Sequence, residues 1–549
     1  MTTAEPQRAG AHQASVLPPG AYRELVSKPQ PEPGRALKWL DPRTLWISRN
    51  DVLAKVAGDP VFDARRAWMA RAASGGAAAD RDLTVTRHRG ERARFVVLGD
   101  TGEGDNSQFA VVPMLRRLYG ESDFLFILSD VIYPAGDASD YPRKFYDAYG
   151  DFPGPIYAVP GNHDWYDLLH GFMFHLCGAE GLPPSVIPKT PPLWRRTRAP
   201  DATGRSLRDE RHGVHPPQPA PYFAIEAGPL LLVAIDTGIT NGLDRDQGAW
   251  LRAISKRPGP KILLTGKPLV VNDEARPCEI EDGGDVDEIV RDAAHGYVAA
   301  IGGDIHKYQR YPVRLEDGRT LQYIVSGGGG AYMAATHTIR DITLPGVEEH
   351  SEHGDHFRCY PTRSQSLVFY SRTVPHGLRG LALVCLAGSG LATGAFALDE
   401  LPRRVAWLRW ALAGIVAAGW SYFVGMGGLW TLLAYRKGPI PIDDARLIMK
   451  ECHPGSNLVV APPATKEKAS LRSRLLARSL FRTHGGGRSV THSFFSEIYD
   501  TDTPNFHKSF LSFDVDADRV VITCHPVTGA EDEDSPLLVE DRVEIPLRG

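Results

Sequence analysis

Gly161-Asn162-His163-Asp164 is a dense run of metal-binding and proton-transferring side chains, and four other polar clusters accompany it. Gly99-Asp100-Thr101-Gly102 follows the apolar run Phe95–Leu98, and Ser129-Asp130-Val131-Ile132-Tyr133 follows Phe124–Leu128. The Gly161 cluster itself follows Ile156–Val159. Thr265-Gly266-Lys267-Pro268 follows Ile262–Leu264, and Gly302-Gly303-Asp304-Ile305-His306 follows Tyr297–Ile301. Asp, Asn and His supply the hard oxygens and imidazoles that hold divalent cations. Hydrolysis of a phosphate ester brings water to a centre shielded by negative oxygens. Two divalent ions about 3.5–4 Å apart lower the pKa of a bound water and neutralise charge in the transition state. Such a site needs a carboxylate that bridges the ions, further oxygen and imidazole ligands, and an acid for the leaving oxygen. These clusters therefore predict a metal-dependent hydrolase.

Something must hold the clusters together. Short apolar runs with turn signals at both ends fit buried strands. Strands that deliver polar groups at their carboxyl ends gather them along one edge of a sheet. Two more apolar runs, Leu230–Ile235 and Leu321–Val325, extend the set. Asp105 to Gly120 reads as a helix: Asp105 or Ser107 caps it, Phe109, Val112, Leu115 and Leu118 form its apolar face, and Gly120 stops it. Alternating strands and helices point to a layered α/β domain.

The ordered motifs resemble the calcineurin-like metallophosphoesterase superfamily, and the resemblance runs from about Ala93 to Pro361. Gly99-Asp100-Thr101-Gly102 and Asp130-Val131-Ile132-Tyr133 are similar to the purple-acid-phosphatase variant, GDxG followed by DxxY. The Gly-rich stretch Ser326–Tyr332, with His337 after it, resembles membrane-associated bacterial and plant relatives. The resemblance implies a β-sandwich flanked by helices, an αββα fold. It implies that Asp100 and His306 bind a first metal, Asp130 bridges, Asn162 binds the second, and Tyr133 completes the first. His163 would contact the phosphate or protonate the leaving group, with Asp164 orienting it. The implied cofactor is two divalent or trivalent ions, from Mn, Fe, Zn or Mg, and the implied substrate is a phosphomonoester or phosphodiester.

Three positions depart from the family pattern. Gly266 stands where a His is usual and offers no ligand. Asp304 replaces the first His of GHxH, and Ser129 replaces a Gly. The second metal keeps Asp130 and Asn162, gains Asp304, and loses an imidazole, which favours Mn or Mg over zinc. Lys267, or a histidine of the insertion Pro183–Pro221 such as His212 or His215, could stand at the vacancy. These departures also motivate an alternative: a non-catalytic binding or scaffold protein that retains the fold.

Beyond the site, the chain of 549 residues divides into an N-terminal extension (1–92), a catalytic domain (93–377), an apolar hairpin (378–436) and a C-terminal connector with strands that pack on the catalytic domain (437–549). Residues 1–36 are rich in Pro, Ala, Gly and Gln. From Leu37 to Asp82 the pattern is helical, with Trp39, Leu45, Val52, Val56, Phe62 and Trp68 expected inside. Gly380–Leu398 is 19 residues without a charge and Trp410–Tyr435 is 26, both enough for a bilayer core of roughly 20 residues. Trp407, Trp410, Trp430 and Tyr435 flank the second segment as interfacial aromatics do. The expectation is a two-span hairpin in a lipid bilayer, with a buried hairpin in a soluble protein as the other reading. Arg372, Arg379, Arg436 and Lys437 against Arg403, Arg404 and Arg409 lean the catalytic side to the cytoplasm. No secretory signal is evident at the N-terminus. A formal charge of −4 without a Lys/Arg stripe argues against nucleic acid. Six cysteines lie far apart with no CxxC pair, which fits reduced thiols rather than a disulfide framework. The oligomeric state is not legible.

Overall fold

The computed structural model describes residues 37–39, 41–74, 83–182, 186, 189–195, 198–348, 355–374, 435, 438–452, 468–483, 502 and 506–547. Two mixed sheets lie face to face. The larger contains β1 (Thr84–Val85), β5 (Phe223–Ala227), β6 (Leu230–Ile235), β8 (Lys261–Thr265), β12 (Tyr297–Gly302), β13 (Tyr308–Arg314), β14 (Thr320–Ser326) and β15 (Arg358–Tyr360), in the order β1-β5-β6-β8-β12-β14-β13-β15. The smaller contains β2 (Ala93–Gly99), β3 (Phe124–Leu128), β4 (Ile156–Val159), β16 (Lys508–Val515), β17 (Arg519–Val527) and β18 (Asp541–Pro546), ordered β18-β17-β16-β2-β3-β4. Two short ribbons, β7 (Gly242–Leu243) with β11 (Glu279–Ile280) and β9 (Val270–Val271) with β10 (Glu274–Ala275), complete the strands.

The apolar runs are continuous rather than alternating because both faces of each sheet are covered. Phe95, Phe126 and Leu128 of the smaller sheet meet Phe223, Leu232, Leu264, Ile301 and Ile324 of the larger in the central core. Val96, Leu98, Leu125 and Ile127 face outward onto a helical layer that includes Val112, Leu115, Phe145 and Trp165. On the other side, Val233, Ile235 and Leu263 receive Leu251 and Ile254 of the helix Arg245–Ser255 and Val286 and Val290 of the helix Val286–Arg291. The result is an α/β fold of four layers, helices on sheet on sheet on helices.

Parallel pairing within each sheet aligns the strand tips. β2, β3 and β4 pair in parallel, as do β8, β12 and β14, so all six end on the same edge. β16 pairs antiparallel with β2, matching Leu511 to Val97 and Val515 to Ala93. The strand that carries Asp100 is thus interior to its sheet, held by chain from position 508 onward.

The single helix expected between β2 and β3 is two, Asn106–Phe109 and Val112–Tyr119. Pro113 lacks the N–H that would bond the Phe109 carbonyl, so the helix breaks there and restarts with Pro in its first turn. Asp105 caps the first piece by accepting from Ser107 N. In the N-terminal segment Trp39 and Trp68 are buried, but Leu45, Val52 and Val56 are exposed. The short helices Pro42–Ile47 and Asn50–Ala57 turn Thr44, Asn50 and Ala54 inward instead.

A further helical cluster packs residues 363–374 against the helices Ile442–Cys452 and Leu471–Thr483 through Leu367, Tyr370, Ile448, Met449, Leu476 and Leu480. The apolar hairpin expected over 378–436 lies outside the described residues, apart from Tyr435. Among the described residues no helix is long and apolar enough to cross a membrane. The five described cysteines are unpaired.

Candidate active site

Six strand tips on the shared edge carry the chemical groups. Asp100 follows β2, Asp130 follows β3, Asn162, His163 and Asp164 follow β4, Lys267 follows β8, Asp304 and His306 follow β12, and the glycines of 327–330 follow β14. Asp100, Ser129, Asp130 and Asp304 all adopt positive φ, between 40° and 65°. Sharp local turns of this kind are costly for non-glycine residues and cluster where side chains are aimed at a site. Two close approaches explain two of the glycines. A Cβ at Gly161 would stand 2.2 Å from Asp130 Oδ1, and one at Gly327 would stand 2.2 Å from Asp100 Oδ2.

Within this edge hydrogen bonds join five of the expected ligands in two sets. Tyr133 donates its hydroxyl to Asp130 Oδ2 at 3.0 Å and lies 3.1 Å from His306 Nε2. Asp304 N donates to Asp100 Oδ1 at 3.0 Å. Oδ2 of Asp100 is buried without a hydrogen bond of normal geometry. Burial, then the neighbouring Asp130 and Asp304 carboxylates, raise Asp100 well above the usual carboxylate range. Burial foremost also raises Asp130, against the pull of His163. His306 moves the other way: burial, then Lys508, lower it to about 3, so its ring is neutral and able to ligate. A buried carboxylate pair beside a neutral imidazole and a phenol calls for a cation at its centre.

His163 and Asn162 stand at the mouth of this cluster. His163 N donates to Asp130 Oδ1 at 2.8 Å, and its ring Nδ1 lies 2.8 Å from the Pro134 carbonyl. A carbonyl only accepts, so Nδ1 carries the hydrogen and Nε2 is left to exchange a proton. Asn162 commits its amide nitrogen to Tyr166 Oη at 2.7 Å, which leaves its carbonyl oxygen as a donor atom for a ligand.

Asp164 does not orient His163. Its carboxylate accepts from the amides of Val131 at 2.9 Å, Ile132 at 3.1 Å and Gly161 at 3.0 Å, pinning the loop after β3 to the loop after β4. Burial, then Asp130, push it up to about 8 in spite of those three amides. His212 and His215 do not fill the place beside Gly266. His212 bonds the His175 carbonyl at 3.0 Å on the helix Ala202–Val214, and His215 follows that helix beside Pro153. His337, after the Gly-rich stretch, is buried against Ser366 Oγ at 2.8 Å.

Lys267 does reach the site. Its Nζ lies 2.8 Å from Asp304 Oδ1 in an ion pair whose side chains are 17 % and 21 % exposed. Burial opposes charge at Asp304, but Lys267 outweighs it and holds the carboxyl below its ordinary value. The same ammonium acts on Asp130.

Trp39 is the residue whose place in the site no motif or spacing announces. It precedes β1 by more than forty residues, yet its indole donates to Glu103 Oε1 at 2.8 Å. Its ring meets Tyr133 at 5.0 Å, His163 at 5.4 Å and Tyr332 at 5.5 Å, edge to face in each case. The N-terminal segment therefore supplies one wall of the site.

Residues 93–327 match the calcineurin-like phosphoesterase family. Over that segment the chain resembles the calcineurin-like phosphoesterases. Solved structures similar to the chain include GAP50, the anchor in the inner membrane complex of Plasmodium, at 13% identity and TM-score 0.29, covering 44% of this chain and 74% of that one. Purple acid phosphatase PPD1 from yellow lupin (Lupinus luteus) seeds is 13% identical with TM-score 0.27, covering 44% and 45%. PhoD is 11% identical with TM-score 0.27, covering 45% and 59%. The chain thus spans about half the length of the last two. No curated protein matches it.

Calcineurin-like phosphoesterases generally use a dinuclear metal centre. Here the chemistry of Asp100, Asp130, Tyr133 and His306 fits one cation, with the buried, unbonded Asp100 oxygen as the mark of it. Among the described residues, no group of three or more His, Cys, Asp or Glu side chains that could hold a metal ion is present. The second position does not fit in the same way, because Asp304 is paired to Lys267.

Proposed function

We propose that the calcineurin-like domain hydrolyses a phosphomonoester or phosphodiester with the help of a bound divalent or trivalent cation. The observation that carries this reading is the link Asp130–Tyr133–His306, with Asp100 buried beside it at the tip of the adjacent strand. Asp100, Asp130, Tyr133 and His306 would hold the cation. When bound, it would act as a Lewis acid toward the phosphoryl oxygens and the attacking water.

The chain's own residues supply the remainder. His163, its Nδ1–H fixed on the Pro134 carbonyl, acts as general acid in its doubly protonated form, giving the Nε2 proton to the leaving oxygen and reverting to the neutral Nδ1–H tautomer. The Asn162 carbonyl completes the polar mouth. Asp164 keeps both loops in register by holding their amides. Trp39 closes one side over His163 and so restricts which ester group lies against the imidazole.

The test is metal analysis together with hydrolysis of p-nitrophenyl phosphate and bis-p-nitrophenyl phosphate in the presence of Mn, Fe, Zn or Mg. Bound metal and turnover that Asp130→Ala abolishes support the reading. A protein that binds no metal and turns over neither ester supports the alternative, a scaffold that retains the fold; the Lys267–Asp304 pair inside the site is the observation in its favour.

Attachment to a bilayer belongs to the same proposal. Tyr435 donates its hydroxyl to the Arg372 carbonyl at 3.3 Å, so the chain returns at 435 to the place it leaves near 372. The uncharged stretches Gly380–Leu398 and Trp410–Tyr435 of the sequence favour such attachment. Membrane fractionation of the full chain tests this: sedimentation with membranes that resists high salt and carbonate but yields to detergent is expected. Recovery in the aqueous fraction without detergent would remove the anchor from the proposal.

A further inference from the structure

We propose that this site takes a single cation, and that the ammonium of Lys267, paired with Asp304, is the fixed positive charge in the place of a second. The inference rests on the reading that Asp100, Asp130, Tyr133 and His306 hold the first ion. It begins with a steric fact. A Cβ at Gly266 would stand 2.7 Å from the Pro160 carbonyl oxygen and 3.1 Å from Thr237 Oγ1. The Pro160 contact is with backbone and cannot be relieved by a side-chain rotation, so position 266 accommodates no ligand side chain while β4 and β8 end as they do.

The next residue fills the corner instead. Lys267 Nζ is 2.8 Å from Asp304 Oδ1, and its charge is felt at Asp130. Asp304, which would have to turn an oxygen to a second ion, is tied twice. Its carboxylate holds Lys267 and its amide holds Asp100 Oδ1 at 3.0 Å. A divalent ion between Asp130 and Asp304 would therefore meet an ammonium already seated there. Like charges at contact distance in a partly desolvated site repel strongly. Asn162, the remaining donor, offers one neutral oxygen.

The surroundings show what the ammonium faces. A cavity of about 410 Å³ opens beside it, lined by Lys55, Thr240, Asn241, Lys267, Arg276 and Asp304. Lys55 is paired with Asp51 at 2.7 Å and Lys267 with Asp304, so the guanidinium of Arg276 leaves this wall with a net positive charge. An anionic group entering between the first cation and this wall meets Lys267 on one side, as a phosphate does when two cations flank it. Lys267 is thus a substrate-binding residue in this assignment.

Equilibrium dialysis of the full chain against Mn²⁺, with elemental analysis and electron paramagnetic resonance, tests the stoichiometry. The expected result is one ion per chain and the spectrum of an isolated Mn²⁺. Two ions per chain with an exchange-coupled spectrum would overturn the inference and leave the phosphoesterase reading standing. No bound ion would overturn that reading and this inference with it. The charge is tested with inorganic phosphate as the probe, on the Mn²⁺-loaded protein. Lys267→Ala is expected to weaken phosphate binding by about 10-fold or more, the scale of one charge-assisted hydrogen bond, and Lys267→Arg to retain most of it. Phosphate binding unchanged in Lys267→Ala would overturn the assigned role. The wild-type stoichiometry decides the first point even if that variant fails to fold.

Discussion

Three residues of the site, His306 after β12 and His163 and Asp164 after β4, do three different jobs, and their substitutions separate them. His306→Ala removes the imidazole from the Asp130–Tyr133 link and is expected to lose metal, read by elemental analysis. His163→Ala leaves the ligand set intact and is expected to keep its metal while the rate of ester hydrolysis falls by about 10²–10³-fold, the usual worth of a positioned general acid. Asp164→Ala acts elsewhere. It strips three buried amides of their acceptor, so the expected loss is about 3 kcal/mol of stability, read by denaturant titration. Equal stability in Asp164→Ala and wild type would sink that assignment. The residue types were legible in the sequence because Asp, Asn and His after apolar runs have few other purposes in combination. The division of labour was not. Whether Asp164 turns to an imidazole or to backbone amides depends on where the β3 loop lies, and spacing along one strand carries no such information.

At the scale of elements, the strands that position the site were readable because each is buried on both faces and stays apolar throughout. Phe95–Leu98, Phe124–Leu128, Ile156–Val159, Ile262–Leu264 and Tyr297–Ile301 all lie within strands. The helices were less legible. Pro113 breaks the one after β2, a break that its missing N–H could have announced. The N-terminal helices mislead through composition: Val52 and Val56 are apolar yet exposed, because the helix Asn50–Ala57 lies by Asn50 and Ala54. Trp39 shows the other failure, since its partners Tyr133, His163 and Tyr332 are remote in sequence and no periodicity points to them. Its substitution is the test of this element. Trp39→Ala removes an aromatic wall and an indole bond to a buried carboxylate, with an expected cost of about 3–5 kcal/mol if the segment is fully docked. The informative readout is specificity: the ratio of monoester to diester turnover is expected to change. A ratio identical to wild type in a folded Trp39→Ala protein would show that the segment only packs.

At the scale of the whole molecule, buried histidines set a pH dependence. His175 is enclosed by Tyr141, Tyr146 and the Ala138 carbonyl, and burial lowers it to about 3. A folded-state value below the unfolded one means the unfolded chain binds the proton first. The stability that neutral His175 contributes is full above about pH 6.5 and is lost as pH falls toward 3. The comparison of wild type with His175→Asn isolates this group from the raised carboxylates of the site, whose dependence has the opposite sign. The wild-type advantage is expected to shrink by about 2 kcal/mol between pH 7.5 and pH 5, read by urea melts at each pH. A constant difference would show that His175 charges as easily inside as out.

The pairing of β16 with β2 has a consequence for how the protein is made. The strand that carries Asp100 lies between β3, some 25 residues on, and a partner that leaves the ribosome more than 400 residues later. Until then β2 presents a row of unpaired amides and carbonyls at the edge of a half-built sheet, the kind of open edge that recruits other chains. At roughly 5–20 residues per second the wait is tens of seconds. Translation that stalls between 330 and 507 is expected to yield aggregated nascent chain, whereas release after the final strands yields a closed sheet, a contrast that pulse-labelled ribosome complexes can display.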